Sequence, residues 1–417
     1  MDSLGTYSLI IIFSLTIIVS YFFNVYAKKS GVPSVLMLIA LGIVLHYGLL
    51  LFDGFSVDLL KPLEVLGVVG LILILLEAAL DLRLEKNKIG LIIKSFLMAF
   101  LGLGATAYLA AYCFTYFLDI SLLNSLLFSI PLSILSSAII LPSIEDLDEN
   151  KREFMVYEST FSDIVGIIGF YSVLNMLDSN AVGGVYGELF TKLVLTVVFS
   201  ILISYTLIYV FQKIKGHVKL FLLIAILLLL YAVGQIFELS SLLIILIFGM
   251  ILNNYKVFFK GALMKLLKEE KVEEVLDDMK VVTAESAFVV RTFFFIIFGW
   301  SVYLGSLLSF EVIGLGLLVL LVIYLVRTLM LFVFNGTDIN PQLFLAPRGL
   351  ITILLFFAIP EEFTPETDFQ GVLLFVILFS CAIMTWAMMV RKKNNIALLA
   401  EEEITLTTPE ETEKEKE

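Results

Sequence analysis

Long apolar runs separated by short polar segments make up almost the whole chain. A run of about 20 apolar residues is long enough to cross a bilayer as an α-helix. The chain contains thirteen such runs, at residues 5–25, 32–51, 62–82, 92–117, 122–146, 153–177, 186–212, 217–236, 239–255, 283–304, 311–334, 343–360 and 367–390. The pattern predicts an all-α polytopic membrane protein with about 13 transmembrane helices.

Composition supports this prediction and excludes a soluble fold. Of the 417 residues, 60% are hydrophobic and only 16% are charged, and the mean hydropathy is +1.03. A soluble domain of this size does not have such a composition. The two cysteines, Cys113 and Cys381, both lie in apolar runs, so they offer no disulfide framework and no metal-ligand spacing.

Half of the net charge of −12 comes from the end of the chain, where residues 401–417 hold eight glutamates and two lysines. We predict a transmembrane domain at residues 1–390, followed by an acidic, disordered cytoplasmic tail at residues 391–417. This acidity gives no reason to expect a nucleic-acid partner. The expected surrounding is the lipid bilayer.

Lysine and arginine residues cluster in every second loop. They follow the first, third, fifth, seventh, ninth and last apolar runs, whereas the loops after the even-numbered runs are nearly free of them. The loop after the eleventh run has no basic residue and gives no information. Because basic loops stay in the cytoplasm, the pattern predicts a multi-pass plasma-membrane protein with its N-terminus outside and its C-terminus inside.

The run at residues 153–177 carries two carboxylates, Glu158 and Asp163. On a helix, Ser159 and Ser162 lie on the same face as these acids, and the opposite face is apolar. Carboxylates in a spanning helix are costly and normally face a bundle interior or a water-filled cavity. This polar face of the helix therefore indicates either an ion or proton site or a buried structural hydrogen-bond network.

Two runs are interrupted by residues that break helices. In the fifth run, Ser136 and Ser137 lie at mid-depth between two prolines, and in the twelfth, residues 347–349 are Pro-Arg-Gly. If runs 1–6 and 8–13 are two halves joined by run 7, each break is at the fifth position of its half, and the halves are oppositely oriented. Matched breaks of this kind indicate the binding site of a secondary transporter, whereas either break alone has a simple proline kink as its alternative. We predict two inverted repeats whose broken helices cross at mid-membrane.

Other charged residues within the apolar runs include Glu77, Arg291, Arg327 and Arg348. An unpaired charge at this depth is costly, so we expect the acids and the arginines to pair. Arg291 begins an apolar stretch, and its long side chain could instead reach an interface.

Three stretches resemble motifs of a known family. Residues 158–163, ESTFSD, are similar to a Glu-Ser-x-x-Asn-Asp motif. Residues 346–360, APRGLITILLFFAIP, resemble a Pro-Arg-Gly segment on a broken helix, and residues 238–254, ELSSLLIILIFGMILNN, resemble a Ser…Gly…Asn span. With its thirteen predicted spans, the chain resembles the monovalent cation/proton antiporter superfamily, in the branch of the sodium/proton exchangers.

The resemblance implies roles for several residues. A monovalent cation would bind at Asp163, with Glu77 nearby, and Glu158 would pair with Arg348 as a structural bridge. The resemblance also implies a homodimer, in which spans 4–6 and 11–13 move against a dimerisation domain.

The chain departs from the family pattern at two places. Ser162 replaces the asparagine before the ion-binding aspartate, and residues 136–138, Ser-Ser-Ala, replace Thr-Asp-Pro. The second segment is closer to the Ser-Ser-Thr of the potassium-efflux relatives. The choice between Na⁺ and K⁺ therefore stays open.

The predicted chemistry is competition between a proton and a cation for one carboxylate. Either can neutralise Asp163, and oxygen donors suit an alkali cation. We expect these donors to be the hydroxyls of Ser159 and Ser162 and the carbonyl groups freed around Ser136 and Ser137. Since Ser162 cannot titrate, we predict one proton per cation and no net charge movement.

We therefore predict an antiporter that exchanges Na⁺, or else K⁺ or Li⁺, for protons and needs no cofactor. K⁺/H⁺ antiport is the first alternative. A cation channel is the second, but the sequence shows no ring of filter groups. An intramembrane hydrolase would need a nucleophile–base pair or a metal site, and no His or Cys is placed for either, so we do not expect an enzyme.

Overall fold

The computed structural model describes residues 6–30, 32–50, 60–84, 86–144, 147–178, 185–213, 219–236, 241–261, 264, 267–365 and 367–407. These residues form helices and connecting loops, with no β-strand among them. The α-helices are α1 (Thr6–Ser30), α2 (Ser34–Leu50), α3 (Leu60–Asp81), α4 (Ile89–Leu118), α5 (Leu122–Ser133), α6 (Ser137–Ile140), α7 (Glu149–Asp178), α8 (Val185–Phe211), α9 (Lys219–Ile236), α10 (Ser241–Asn253), α11 (Tyr255–Phe258), α12 (Glu269–Ser301), α13 (Phe310–Asn335), α14 (Leu350–Phe357) and α15 (Phe369–Thr407). The predicted all-α fold is confirmed.

Each predicted apolar run coincides with helical structure. In the described part of the chain, seven segments are long and apolar enough to cross a membrane: Ile89–Leu118, Leu122–Ile140, Glu149–Leu177, Val194–Phe211, Glu269–Ser301, Phe310–Asn335 and Phe369–Lys393. Shorter apolar helices lie in four other predicted runs, at Phe13–Ala27, Ser34–Gly48, Ala225–Gly234 and Ser241–Asn253. The multi-pass character is confirmed, and the count of thirteen crossings stays a prediction.

Helix α12 begins well before its apolar run. Its first part contains Val272, Val275, Leu276 and Met279, which repeat at helical spacing and are buried. These side chains form an apolar face on an otherwise polar segment. Because this face is buried, the segment is helical from Glu269 onward.

Helix α15 extends beyond its apolar run, which ends at residue 390. It continues to Thr407, through the first part of the segment that we predicted to be a disordered tail. Residues 396–403, IALLAEEE, are mostly strong helix formers, and this local preference accounts for the difference. Residues 408–417 of the predicted tail lie outside the described residues.

The two predicted breaks are present, and they cross. The chain is extended at Ile134 and at Ser136, between α5 and α6, and residues 345–349 form a non-helical segment before α14. The backbone N–H of Ser136 donates a hydrogen bond to the carbonyl of Pro347, at 3.0 Å. This bond joins the two breaks directly, so the predicted crossing of broken helices is confirmed.

The crossing requires a glycine at position 349. A Cβ atom at Gly349 would lie 2.3 Å from Ser136 Oγ and 2.9 Å from Ile139 Cδ1. No side chain fits at those distances, and therefore the Pro-Arg-Gly segment lets two non-helical backbones approach inside the bundle.

The other helices surround the crossing. Helix α4 packs against α5, α7 and α13, and α13 packs against α15, whereas α12 packs against α2 and α3. The approach of α2 to α12 is close, because a Cβ atom at Gly42 would lie 2.1 Å from the carbonyl oxygen of Ile296, and one at Gly299 would lie 2.2 Å from that of Ile39. Small residues allow such backbone contact between membrane helices.

Candidate functional site

Asp163 lies within α7, beside the first break, and is buried. The hydroxyl of Ser137, the first residue of α6, donates a short hydrogen bond to its Oδ2 atom. The other carboxylate oxygen, Oδ1, is buried and has no hydrogen-bond partner among the described residues. A buried carboxylate oxygen without a donor is costly, so this atom is available to a proton or a cation.

A cavity of about 360 Å³ reaches the hydroxyl that binds Asp163. It lies between α1, α2, α3, α6 and α12, and Ser137, Glu77, Asp81 and Arg291 are among its lining residues. Asp81, the last residue of α3, is exposed. Because the loop after α3 is one of the basic loops, the cavity lies toward the side of the membrane that the sequence predicts to be cytoplasmic.

Some predicted site residues lie together and others do not. Glu77 and Ser137 share the large cavity. Ser136 lies at the crossing, where its Oγ faces Gly349. Ser159 is buried, and its hydroxyl donates to the carbonyl of Val156 at 3.3 Å.

Ser162, on α7, stabilises the break between α5 and α6. Its Oγ accepts a hydrogen bond of 3.0 Å from the backbone N–H of Leu135, a group that the extended conformation leaves without a helical partner. Ser162 lines a separate cavity of about 30 Å³, together with Glu158 and Arg327. The structure therefore does not bring Ser159 or Ser162 to the large cavity, and their roles as cation ligands stay predictions.

The predicted pairing of Glu158 with Arg348 is wrong, because Glu158 pairs with Arg327 of α13. The two guanidinium nitrogens of Arg327 lie 2.8 and 3.3 Å from the Glu158 carboxylate, and its Nε donates to the carbonyl of Gln342 at 2.8 Å. The side chains are 1% and 6% exposed. This geometry is a bidentate, fully desolvated ion pair of the kind that supports a structure.

Arg348 instead binds backbone carbonyls at the crossing. Its guanidinium donates to the carbonyls of Leu132 at 2.7 Å, Ala346 at 2.9 Å and Ser133 at 3.3 Å. The first and last of these belong to the C-terminal end of α5, where helical carbonyls lack partners and attract positive charge. These unpaired carbonyls are the physical reason that Arg348 is not the partner of Glu158.

Glu77 and Arg291 form a second ion pair across the cavity. Arg291 Nη2 lies 3.4 Å from Glu77 Oε2, and the side chains are 20% and 25% exposed. The sequence placed both charges in apolar runs but did not indicate that they are partners.

Two asparagines at the end of the third family-like stretch have a role that was not predicted from the sequence. Asn253 and Asn254 both donate to the carbonyl of Leu82, at 3.0 and 2.7 Å, and Asn254 accepts from the N–H of Leu84 at 2.6 Å. They hold the backbone just after α3, next to Asp81. The signal available was a pair of amide side chains at the end of an apolar run.

Comparisons with known proteins agree with this architecture. Residues 12–390 match the family described as "Sodium/hydrogen exchanger, transmembrane". The fold is similar to that of the sodium proton antiporter MjNhaP1 from Methanocaldococcus jannaschii at pH 8, with a TM-score of 0.69 and 19% identity over 91% of this chain and 98% of that one.

An electron-microscopy structure of MjNhaP1 is similar too, with a TM-score of 0.65 and 18% identity over 97% of this chain and all of that one. A search of curated proteins found no match. The family and the fold are those of transporters and not of enzymes. The chain belongs to the sodium/hydrogen exchanger family of transmembrane proteins.

Proposed function

We propose that the protein exchanges Na⁺ for protons by competition at Asp163. The observation that carries this proposal is the buried Oδ1 atom without a partner, on a carboxylate whose other oxygen is bound by a residue of the cavity wall. Burial disfavours the bare charge, so the carboxylate is neutralised in turn by a proton and by a cation.

The donors around Asp163 suit a hard monovalent cation. They are carboxylate and hydroxyl oxygens, and Ser137 is the nearest hydroxyl. Backbone carbonyls freed at the breaks add further oxygen ligands, as in other transporters with discontinuous helices. K⁺/H⁺ exchange is the second candidate, because residues 136–138 are Ser-Ser-Ala.

Transport follows alternating access in this proposal. The cavity leads to Ser137 from the side predicted to be cytoplasmic, so the described conformation is inward-facing. A homodimer in the plasma membrane, with the N-terminus outside, is part of the proposal and is supported by the family and by the distribution of basic residues.

Flux measurements in everted vesicles test the proposal. Vesicles that contain the protein are loaded with protons, and a pH-sensitive dye records proton release when NaCl, KCl or LiCl is added. We expect Na⁺ to release protons at the lowest concentration. Equal responses from vesicles with the wild-type protein and vesicles without it would overturn the proposal.

A further inference from the structure

Two ion pairs of the described helices, Glu158–Arg327 and Glu77–Arg291, differ sharply in geometry. Glu158 and Arg327 form a bidentate pair that is almost completely buried. Glu77 and Arg291 make one contact of 3.4 Å, and each side chain is about one quarter to one fifth exposed. A long, partly solvated contact contributes little stability and opens at small cost. The second pair is therefore suited to being broken and re-formed.

Among the described residues that line the large cavity, Arg291 is the one basic side chain, and Glu77 and Asp81 of α3 are the two acids. Glu77 and Asp81 are one helical turn apart. Ser137 of α6, whose hydroxyl donates to Asp163, lines the same cavity. Asp81, Glu77 and Ser137 line the same cavity, so a cation in it has access to the Glu77 carboxylate as well as to Ser137. The carboxylate of Glu77 binds a guanidinium in the described conformation, and its oxygens are also suitable ligands for an alkali ion.

The helix that carries Arg291 is fixed at this level. The next residue, Thr292, is buried, and its hydroxyl lies 2.6 Å from that of Ser20 in α1. Because this contact links α12 to α1 next to Arg291, we infer that Glu77 changes its partner by rotation of the flexible Arg291 side chain within the cavity. The cavity, at about 360 Å³, has room for that movement.

We propose that Arg291 is an internal competitor of the transported cation for Glu77. In the cation-free state the guanidinium occupies Glu77. An entering cation displaces it and moves on to Asp163, and the return of Arg291 to Glu77 prevents the cation from resting at this carboxylate. This inference rests on the proposed function and assigns Arg291 the role of setting cation affinity.

Steady-state exchange by purified protein in proteoliposomes tests the role. The Arg291→Gln variant removes the competitor, so the Na⁺ concentration at half-maximal rate should fall about threefold to fivefold, the change expected for loss of a partly exposed ion pair. Arg291→Lys keeps a cation and should restore the value most of the way toward wild type. Arg291→Met also removes the charge but keeps the aliphatic part of the side chain. The same fall in the half-saturating Na⁺ concentration is expected for it, so it replaces Arg291→Gln if that variant does not fold.

Two controls separate competition from general effects. Lys271→Gln removes a positive charge from α12 outside the cavity, and its half-saturating concentration should equal that of the wild type. In a Glu77→Gln background, Arg291→Gln should produce no further fall, because its competitor role requires the Glu77 carboxylate. The melting temperature of the detergent-solubilised protein at increasing NaCl concentrations gives an independent measure of cation affinity. The NaCl concentration needed for stabilisation should fall in the variants in which the half-saturating Na⁺ concentration falls.

The outcomes are distinguishable. If wild-type protein exchanges Na⁺ for protons but Arg291→Gln and Arg291→Met leave half-saturation unchanged, the inference is wrong and the proposed function stands. A fall that persists in the Glu77→Gln background also overturns the inference. If the wild-type protein shows no exchange at all, the proposed function is overturned and the inference with it.

Discussion

The hydroxyl of Ser137 donates a hydrogen bond to one oxygen of Asp163, and the other oxygen of that carboxylate is buried without a partner among the described residues. The first helix break thus supplies a hydroxyl donor to an acid on α7, and one oxygen of that acid has no donor among the described residues.

Asp163→Asn should abolish exchange and leave a folded protein. The amide keeps the shape of the side chain, and its oxygen still accepts from Ser137, but the titrating charge is gone. Proton release from vesicles measures the activity, and elution as a single species in size-exclusion chromatography measures folding. Proton-coupled Na⁺ flux by this variant would exclude Asp163 as the site.

Glu158→Ala should destabilise the protein by roughly 3–5 kcal/mol, because it leaves Arg327 buried and unpaired. Thermal melting in detergent measures the effect. The double variant Glu158→Ala/Arg327→Ala should lose much less than the sum of the two single losses, as expected for direct partners.

The control for this pair is Glu158→Ala combined with Arg348→Ala. Arg348 binds carbonyls and not Glu158, so the two losses should be closer to additive. If the losses of stability were additive in Glu158→Ala/Arg327→Ala and non-additive in Glu158→Ala/Arg348→Ala, Arg348 would be the partner of Glu158, as the sequence suggested.

Gly349→Ala should destabilise the protein by about 1–3 kcal/mol, since its methyl group would overlap Ser136 Oγ at the crossing. Gly314→Ala is the matched control, because a Cβ atom at Gly314, in α13, meets nothing within 4 Å. Melting in detergent should therefore separate the two variants. Equal melting temperatures would mean that the breaks are not in contact.

Exchange should be electroneutral. Ser162 cannot titrate, and Glu158 is held by Arg327, so Asp163 alone alternates between the proton and the cation at the site. Each net charge that crosses 100 mV would be worth about 2.3 kcal/mol. The test is exchange in proteoliposomes whose potential is set by valinomycin and K⁺ gradients. A final Na⁺ gradient that follows the imposed potential would refute one-for-one exchange.

Much of the site could be predicted from local patterns. Clusters of proline, glycine and serine inside an apolar run favour an interruption of the helix, so the breaks near residues 136–137 and 347–349 are visible in the sequence. The helical period places Glu158 and Asp163 on one face of α7. Both features depend on residues that are close together in the chain.

The partners of the arginines could not be predicted in the same way. Arg327 and Arg348 are both deep in apolar runs, and the choice between them as the partner of Glu158 depends on where unpaired carbonyls lie in three dimensions. Arg348 is drawn to the end of α5, and Arg327 is left for Glu158. The Glu77–Arg291 pair likewise joins residues 214 positions apart, which no local pattern reveals.

The contact of Arg348 with α5 has a consequence for the biosynthesis of the protein. The guanidinium that covers the carbonyl of Leu132 lies 216 residues later in the chain. When α5 enters the membrane, this residue has not yet been translated, and the carbonyls at the break need water or a temporary partner. The crossing of the two breaks is therefore completed only after residue 348 has been synthesised, and a chain that stops before this residue lacks the guanidinium that covers the carbonyl of Leu132.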